Sequence, residues 1–259
     1  MKIAIMGAGA FGTALGGVLA SKGYDLDYYD SMLGHKRLRD VIHGAKITIL
    51  AVPSEAAPYL LPYLPKDIPL VVATKGLLRD EYFAPFLNYA IISGPGYADD
   101  IKAGRPVKLT ATDNWVIDLF TTSYLSFDKT QDKRGVLMCG SLKNVYAILA
   151  GFRNLKSGTA EHNLFLAAAT NEMKSILSEN GAKPETVDLA CGKGDLEITC
   201  GPPSRNYDFG QKLRNSPHYQ TTKTVEGIST LKKICRGEIK VPEDAEFLRE
   251  LIRLEATWG

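Results

Sequence analysis

Three features of this sequence predict an α/β fold in two parts. A glycine-rich turn joins an apolar run to a helical pattern at the N-terminus. Short apolar runs then recur, each stopped by a loop of small residues, and strand patterning ends near residue 135. Together they imply a doubly wound sheet domain over residues 1–135, followed by an all-helical domain over residues 136–259.

Lys2 to Met6 reads as the first strand and ends at Gly7-Ala8-Gly9-Ala10-Phe11-Gly12. A helix follows, with Phe11, Leu15, Val18 and Leu19 on one side, closing at Gly23. Tyr24 to Tyr29 is a second strand and stops at Asp30. Residues 31–45 hold one short, ragged helix. Ile47 to Val52 is a strand ended by Pro53, with Ser54 placed to cap the next helix. Leu70 to Ala73 precedes Thr74-Lys75-Gly76, and Ala90-Ile91-Ile92 precedes Ser93-Gly94-Pro95-Gly96-Tyr97-Ala98. Val107 to Ala111 and a helix over 114–124 complete the sheet domain. Residues 126–135 are polar and loop-like. Val136 to Phe152 is then a long helix with Leu142, Val145, Tyr146 and Leu149 on a core-facing stripe. Asn163 to Glu179 is another, with Gly181 at its end, and Pro184 starts a short one. Further helices fall near 205–215, near 225–236, and over 242–255, the last opened by Pro242.

With 45% hydrophobic and 23% charged residues and a net charge of +2, the chain has the composition of a soluble globular protein. No basic block points to nucleic acid. The N-terminal apolar pieces are broken by glycines and too short to span a bilayer, and no signal-peptide pattern is present. Cys139, Cys191, Cys200 and Cys235 form no C-x-x-C pair and are expected to be reduced. His35, His43, His162 and His218 have no metal-ligand spacing and are expected to be bystanders, with no metal bound. The expected compartment is the cytoplasm.

The N-terminal pattern carries the first chemistry. Strand, glycines, helix, second strand and an acid 18 residues beyond Gly12 form a Rossmann-type dinucleotide signature. Gly7, Gly9 and Gly12 allow the turn, and the backbone at Ala10 and Phe11 meets a pyrophosphate at the helix N-terminus. Asp30 would accept from the ribose hydroxyls and repel a 2′-phosphate, which favours NAD(H) over NADP(H). The second concentration of chemistry is Gly192-Lys193-Gly194-Asp195 through Thr199 and Ser204-Arg205-Asn206. Its glycines would weaken a helix, and its side chains suit a small anionic ligand. Lys143 is either a buried general acid/base or a lysine that snorkels to solvent. Asp195 either orients that lysine or caps a helix. Arg205 offers a fork for phosphate or is a surface residue, and Lys75 is a phosphate ligand or a solvated loop lysine.

In order along the chain, these segments resemble the NAD-dependent glycerol-3-phosphate dehydrogenase family. They are Gly7 to Leu15, Ala51-Val52-Pro53-Ser54, Ala73-Thr74-Lys75-Gly76-Leu77, Ser93-Gly94-Pro95, Leu142-Lys143-Asn144-Val145, Gly194-Asp195-Leu196, Thr199-Cys200, Ser204-Arg205-Asn206 and Val225-Glu226-Gly227. The resemblance implies interconversion of sn-glycerol 3-phosphate and dihydroxyacetone phosphate with NAD(H), supplying glycerol 3-phosphate for phospholipid synthesis. It implies Lys143 as the proton carrier at the C2 oxygen, with Asp195 and Thr199 positioning it and the substrate. Gly94, Gly96, Asn144, Ser204, Arg205 and Asn206 would meet the substrate. Lys75 would lie between substrate and cofactor, and Ala98, Arg205 and Glu226 would contact the cofactor. A homodimer is the family expectation. The chain departs from the family in its short 31–45 segment, which lacks the usual element near the adenine, and in Gly96, where serine or threonine is usual.

Two other readings compete. One is another lysine-dependent dehydrogenase, for a β-hydroxy acid or ketopantoate, which Ser204-Arg205-Asn206 argues against. The other is a non-catalytic NADH sensor, motivated by the short 31–45 segment.

Overall fold

The structure is a computed structural model that describes residues 1–34, 36–76, 79–222 and 224–256. His35 and Leu77, named above, lie outside the described residues. The chain divides into two compact units, Met1–Lys133 and Arg134–Gly259.

The first unit carries a seven-stranded sheet of order β2-β1-β3-β4-β5-β6-β7. Its strands are β1 (Lys2–Met6), β2 (Asp25–Tyr29), β3 (Ile47–Leu50), β4 (Leu70–Val72), β5 (Tyr89–Ser93), β6 (Val107–Ala111) and β7 (Leu125–Lys129). All neighbours are parallel except β5 and β6. Helices α1 (Ala10–Ser21), α2 (Leu38–Ile42), α3 (Ala57–Leu60), α4 (Ala98–Lys102) and α5 (Asn114–Phe120) punctuate the strands. Every residue of β3 and β4 is buried, so these strands show no polar alternation, as befits a sheet covered on both faces. Strand order reverses at β1, which has β2 on one side and β3 on the other. Met6 pairs with both Tyr29 and Leu50, so the three strands end at one level. In open sheets this reversal is where ligands bind.

Two expectations for this unit are corrected. Residues 126–129, expected to be loop-like, belong with Leu125 to β7, paired in parallel with β6 from Val107↔Leu125 to Ala111↔Lys129. The strand lies at the sheet edge and only Leu125 is fully buried, so its sequence carries little apolar signal. Lys108 and Asp128 pair across the two strands at 2.5 Å. Ser54 does not cap α3, whose N-cap position is Ala56.

The second unit is helical, with α6 (Lys133–Phe152, its first residue in the first unit), α7 (Ala160–Glu179), α8 (Asp195–Thr199), α9 (Arg205–Asn215), α10 (Glu226–Cys235) and α11 (Glu246–Glu255). The expected apolar stripe on α6 proves to be burial without interruption from Gly135 to Gly151. By length and composition this helix could cross a bilayer, but 94% of its apolar window is buried within the protein, as in a core helix. Thr159 caps α7, its hydroxyl accepting from the His162 N–H at 3.2 Å. At the other end Gly181, at φ +70°, terminates it. The stretch from Gly192, where the glycines were expected to weaken a helix, continues a π-helical turn (Ala190–Gly194) that runs straight into α8. A Cβ on Gly192 would lie 2.2 Å from the Val187 carbonyl oxygen, so glycine here permits close packing against the preceding 3₁₀ helix (Pro184–Asp188). α11 begins at Glu246, four residues after Pro242. All four cysteines are free thiols.

Candidate active site

The glycine turn between β1 and α1 shows what each glycine does. Gly7 sits at φ +103°, and a Cβ there would lie 2.5 Å from the Ala51 carbonyl oxygen. A Cβ on Gly12 would lie 2.1 Å from the Gly7 carbonyl oxygen, so this glycine lets α1 pack on the turn. A Cβ on Gly9 would meet nothing within 4 Å, leaving its backbone open to close approach. That division of labour fits a pyrophosphate held over the N-terminus of α1, at Ala10 and Phe11. Asp30 accepts from the Ala8 N–H and the Met32 N–H, both at 2.9 Å, one on each carboxylate oxygen. Lone pairs remain on both oxygens for ribose hydroxyls. A cleft of about 590 Å³ opens over Gly7, Gly9 and Asp30 at the ends of β1 and β3, and Asp30 is the one charged residue among its described lining.

A second group in this unit brings together three residues singled out from sequence. The Lys75 ammonium lies 4.8 Å from the centre of the Phe11 ring and 3.5 Å from the Gly96 carbonyl oxygen. Gly94, at φ +146°, has Leu109 Cα at 3.0 Å from where a Cβ would be. At Gly96 a Cβ would meet Leu109 at 3.1 Å and Val107 at 3.4 Å, so the hydroxyl side chain usual in the family would be crowded here. Ala98 is half-buried and opens α4.

In the second unit Lys143 and Asp195 form an ion pair, each side chain 2% exposed. The dull alternatives fall, since Lys143 does not reach solvent and Asp195 is not an N-cap. Lys143 is buried on α6, and Asp195 is the first residue of α8, where Gly194 holds the N-cap position. The Thr199 hydroxyl, one turn on, donates to the Asp195 carbonyl oxygen at 2.5 Å and lies 3.4 Å from its carboxylate. Burial pushes the neighbouring Cys200 thiol well above its ordinary range, although Lys143 pulls the other way.

Asn144, one residue beyond Lys143, donates to the Gly140 carbonyl oxygen at 3.1 Å and accepts from the Asn206 amide at 2.8 Å. Asn206 in turn accepts from the Gly227 N–H at 2.9 Å. The two amides therefore tie α6, α9 and α10 together, a structural task that the sequence did not reveal. The second Asn206 amide N–H has no hydrogen bond among the described residues. Ser204 caps α9 through Tyr207 N–H at 3.4 Å, and Arg205 is exposed with no hydrogen bond or ion pair among the described residues. Glu226 is half-buried at the start of α10.

Two buried residues were given no role from the sequence. Glu172 accepts from Tyr146 Oη at 2.8 Å, from Phe247 N–H at 2.9 Å and from Leu248 N–H at 2.8 Å. The signal was an acid at helical spacing among the buried Phe165, Ala169, Met173 and Ile176 of α7. His162, expected to be a bystander, is buried with Nε2 at 3.1 Å from the Cys200 carbonyl oxygen. No group of three or more metal-ligating side chains occurs among the described residues.

Residues 132–253 match the family model described as the NAD-dependent glycerol-3-phosphate dehydrogenase C-terminus. The NAD(P)+-dependent glycerol-3-phosphate dehydrogenase of Leptospira biflexa is 31% identical over 92% of this chain and 85% of its own length. That of Geobacter sp. strain M21 is 27% identical over 98% and 89%. The crystal structure of glycerol-3-phosphate dehydrogenase from Coxiella burnetii superposes with a TM-score of 0.81 at 25% identity, covering 99% of this chain and 97% of that one.

Proposed function

Because this chain belongs to the NAD(P)+-dependent glycerol-3-phosphate dehydrogenase family, we propose that it interconverts sn-glycerol 3-phosphate and dihydroxyacetone phosphate with NAD(H). The observation that carries this reading is the buried Lys143–Asp195 pair beside Thr199. A proton carrier removed from water and held in one direction by a carboxylate is what alcohol–carbonyl interconversion requires.

Bound NAD(H) supplies the carbon that takes or gives the hydride. Lys143 Nζ accepts the C2 hydroxyl proton in oxidation and returns a proton to the carbonyl oxygen in reduction. Asp195 orients the amine and balances its charge, and Thr199 keeps oxygen lone pairs for a substrate hydroxyl. Ser204, Arg205 and the free N–H of Asn206, at the start of α9, grip the phosphate, with Asn144 beside them. By resemblance to the family, Lys75, Gly94 and Gly96 are assigned to the substrate. The same resemblance assigns Gly7, Gly9, Ala10, Phe11, Gly12, Asp30, Ala98, Glu226 and Arg205 to the cofactor. NADH is preferred over NADPH. The protein acts in the cytoplasm, as a homodimer, to supply glycerol 3-phosphate for phospholipid synthesis.

The test is oxidation of NADH, followed by its near-ultraviolet absorbance, with dihydroxyacetone phosphate as substrate and NADPH and ketopantoate in parallel assays. Turnover with dihydroxyacetone phosphate is expected. Turnover with ketopantoate alone would remove the phosphate role of Arg205, and NADH binding without any turnover would leave a sensor.

A further inference from the structure

We propose that His162 is a positioning residue for the reaction at Lys143, its imidazole N–H fixing the far end of α8 and so setting Thr199 against Asp195. The inference rests on that proposed reaction.

α8 has five residues, too few to hold a helical shape by their own hydrogen bonds, so it depends on what grips its ends. At its first residue the grip is the Lys143–Asp195 ion pair, which ties it to α6. At its other end the Cys200 N–H closes the last turn on the Leu196 carbonyl oxygen at 2.9 Å. The Cys200 carbonyl points out of the helix, and His162 Nε2, from the first turn of α7, lies 3.1 Å from it. Thr199 stands between the two grips, its hydroxyl 3.4 Å from the Asp195 carboxylate. The loop that leaves Cys200 runs directly to the phosphate side of the site. Ser204 N–H donates to the Gly201 carbonyl oxygen at 3.1 Å, and Ser204 then caps α9 ahead of Arg205. A Cβ on Gly201 would collide with Ser157 Oγ, so this loop is pressed against the segment that leads into α7. His162 therefore anchors the joint between the proton-handling residues and those assigned to the phosphate.

The ring makes this one polar contact. His162 is 2% exposed, and its backbone N–H is already held by the Thr159 cap at 3.2 Å. A carbonyl oxygen has no hydrogen to give, so the hydrogen of the contact belongs to Nε2. Nδ1 is buried with no hydrogen-bond partner among the described residues, so a hydrogen there would find no acceptor. A buried polar atom left unsatisfied costs free energy, and an apolar side chain would fill the same space without that cost. What the imidazole adds over an apolar ring is its single bond, to the residue next to Thr199.

Steady-state kinetics with dihydroxyacetone phosphate and NADH test the assignment in the intact protein. His162→Phe keeps the ring and removes the donor. It should lower kcat/KM for dihydroxyacetone phosphate on the order of tenfold or more, mainly through kcat, while the Kd for NADH stays close to the parent value. His162→Gln, which keeps a side-chain N–H, should recover most of that loss. A phenylalanine variant with the parent's kcat/KM, whatever its melting temperature, would overturn the positioning role and leave the reaction reading intact. So would a glutamine variant no better than the phenylalanine one. Should the phenylalanine variant fail to fold, nitrogen NMR of the parent with isotope-labelled histidine decides the matter. The His162 signals, identified by their absence from His162→Gln, should show the hydrogen on Nε2, and a hydrogen on Nδ1 would overturn the proposal. If the parent failed to turn over dihydroxyacetone phosphate at all, the positioning role would fall together with the reaction reading.

Discussion

A buried ammonium is stable only with a counter-charge in contact, and Asp195 is that counter-charge for Lys143. Removing Lys143 alone therefore does two separable things. Lys143→Ala should lower kcat by about 10²–10⁴-fold, the usual worth of a proton carrier, while the Kd for NADH stays close to the parent value. It should also cost roughly 3–5 kcal/mol of stability by stranding the Asp195 carboxylate. In the double variant Lys143→Ala, Asp195→Ala, thermal unfolding should recover toward the parent while activity does not. Full activity in the single variant would remove Lys143 from the mechanism. Asp30 makes a second residue-level prediction. Asp30→Ser should raise the ratio of kcat/KM for NADPH over NADH about tenfold or more, at some cost in affinity because the Ala8 and Met32 N–H groups lose a carboxylate. An unchanged ratio would count against its ribose role. Sequence alone left Lys143 and Asp195 each with a dull alternative. They stand 52 positions apart, and burial and contact at that separation exist only once α6 and α8 have packed.

Among the elements, α11 depends on a residue outside itself. Its N-cap position is Ala245, which has no side-chain acceptor, and the Glu172 carboxylate on α7 takes the Phe247 and Leu248 N–H groups instead. Glu172→Ala should destabilise the fold by about 1–3 kcal/mol, read as a lower melting temperature, because buried donors including Tyr146 Oη lose their acceptor. A melting temperature equal to the parent's would show that α11 contributes nothing to cooperative unfolding. Legibility varied with how much of an element its own residues dictate. The glycine turn, β1 to β6 and the long helices α6 and α7 were readable because their patterns are local. β7 was missed because an edge strand needs little apolar surface. The π turn before α8 was missed because Gly192 and Gly194 argue for a break unless the closeness of Val187 is known. On α6 the burial extends all round, so the apolar stripe understated it.

For the molecule as a whole, the titration pattern points to weakness in alkali. Burial raises Tyr28, Tyr89, Tyr207 and Cys200, and burial together with Glu172 raises Tyr146 well above its ordinary value. A group whose proton is held more tightly when folded stabilises the protein fully below its unfolded pKa and loses that contribution as pH rises toward the folded one. Thermal unfolding should therefore be insensitive to these groups below about pH 8.5, the ordinary thiol value, and should fall increasingly steeply above about pH 10, the ordinary phenol value. A melting temperature that stayed flat across that range would contradict the assignment of these phenols as neutral in the folded protein.

The run of amides from Gly140 through Asn144 and Asn206 to Gly227 has a consequence of another kind. It clamps the helix bearing Lys143 to the helix whose first residue is Arg205. The jaws of a caliper set in this way admit one length of object. In the proposed reaction, with the phosphate at Arg205 and the reacting oxygen at Lys143, this brace would fix the separation of the two groups.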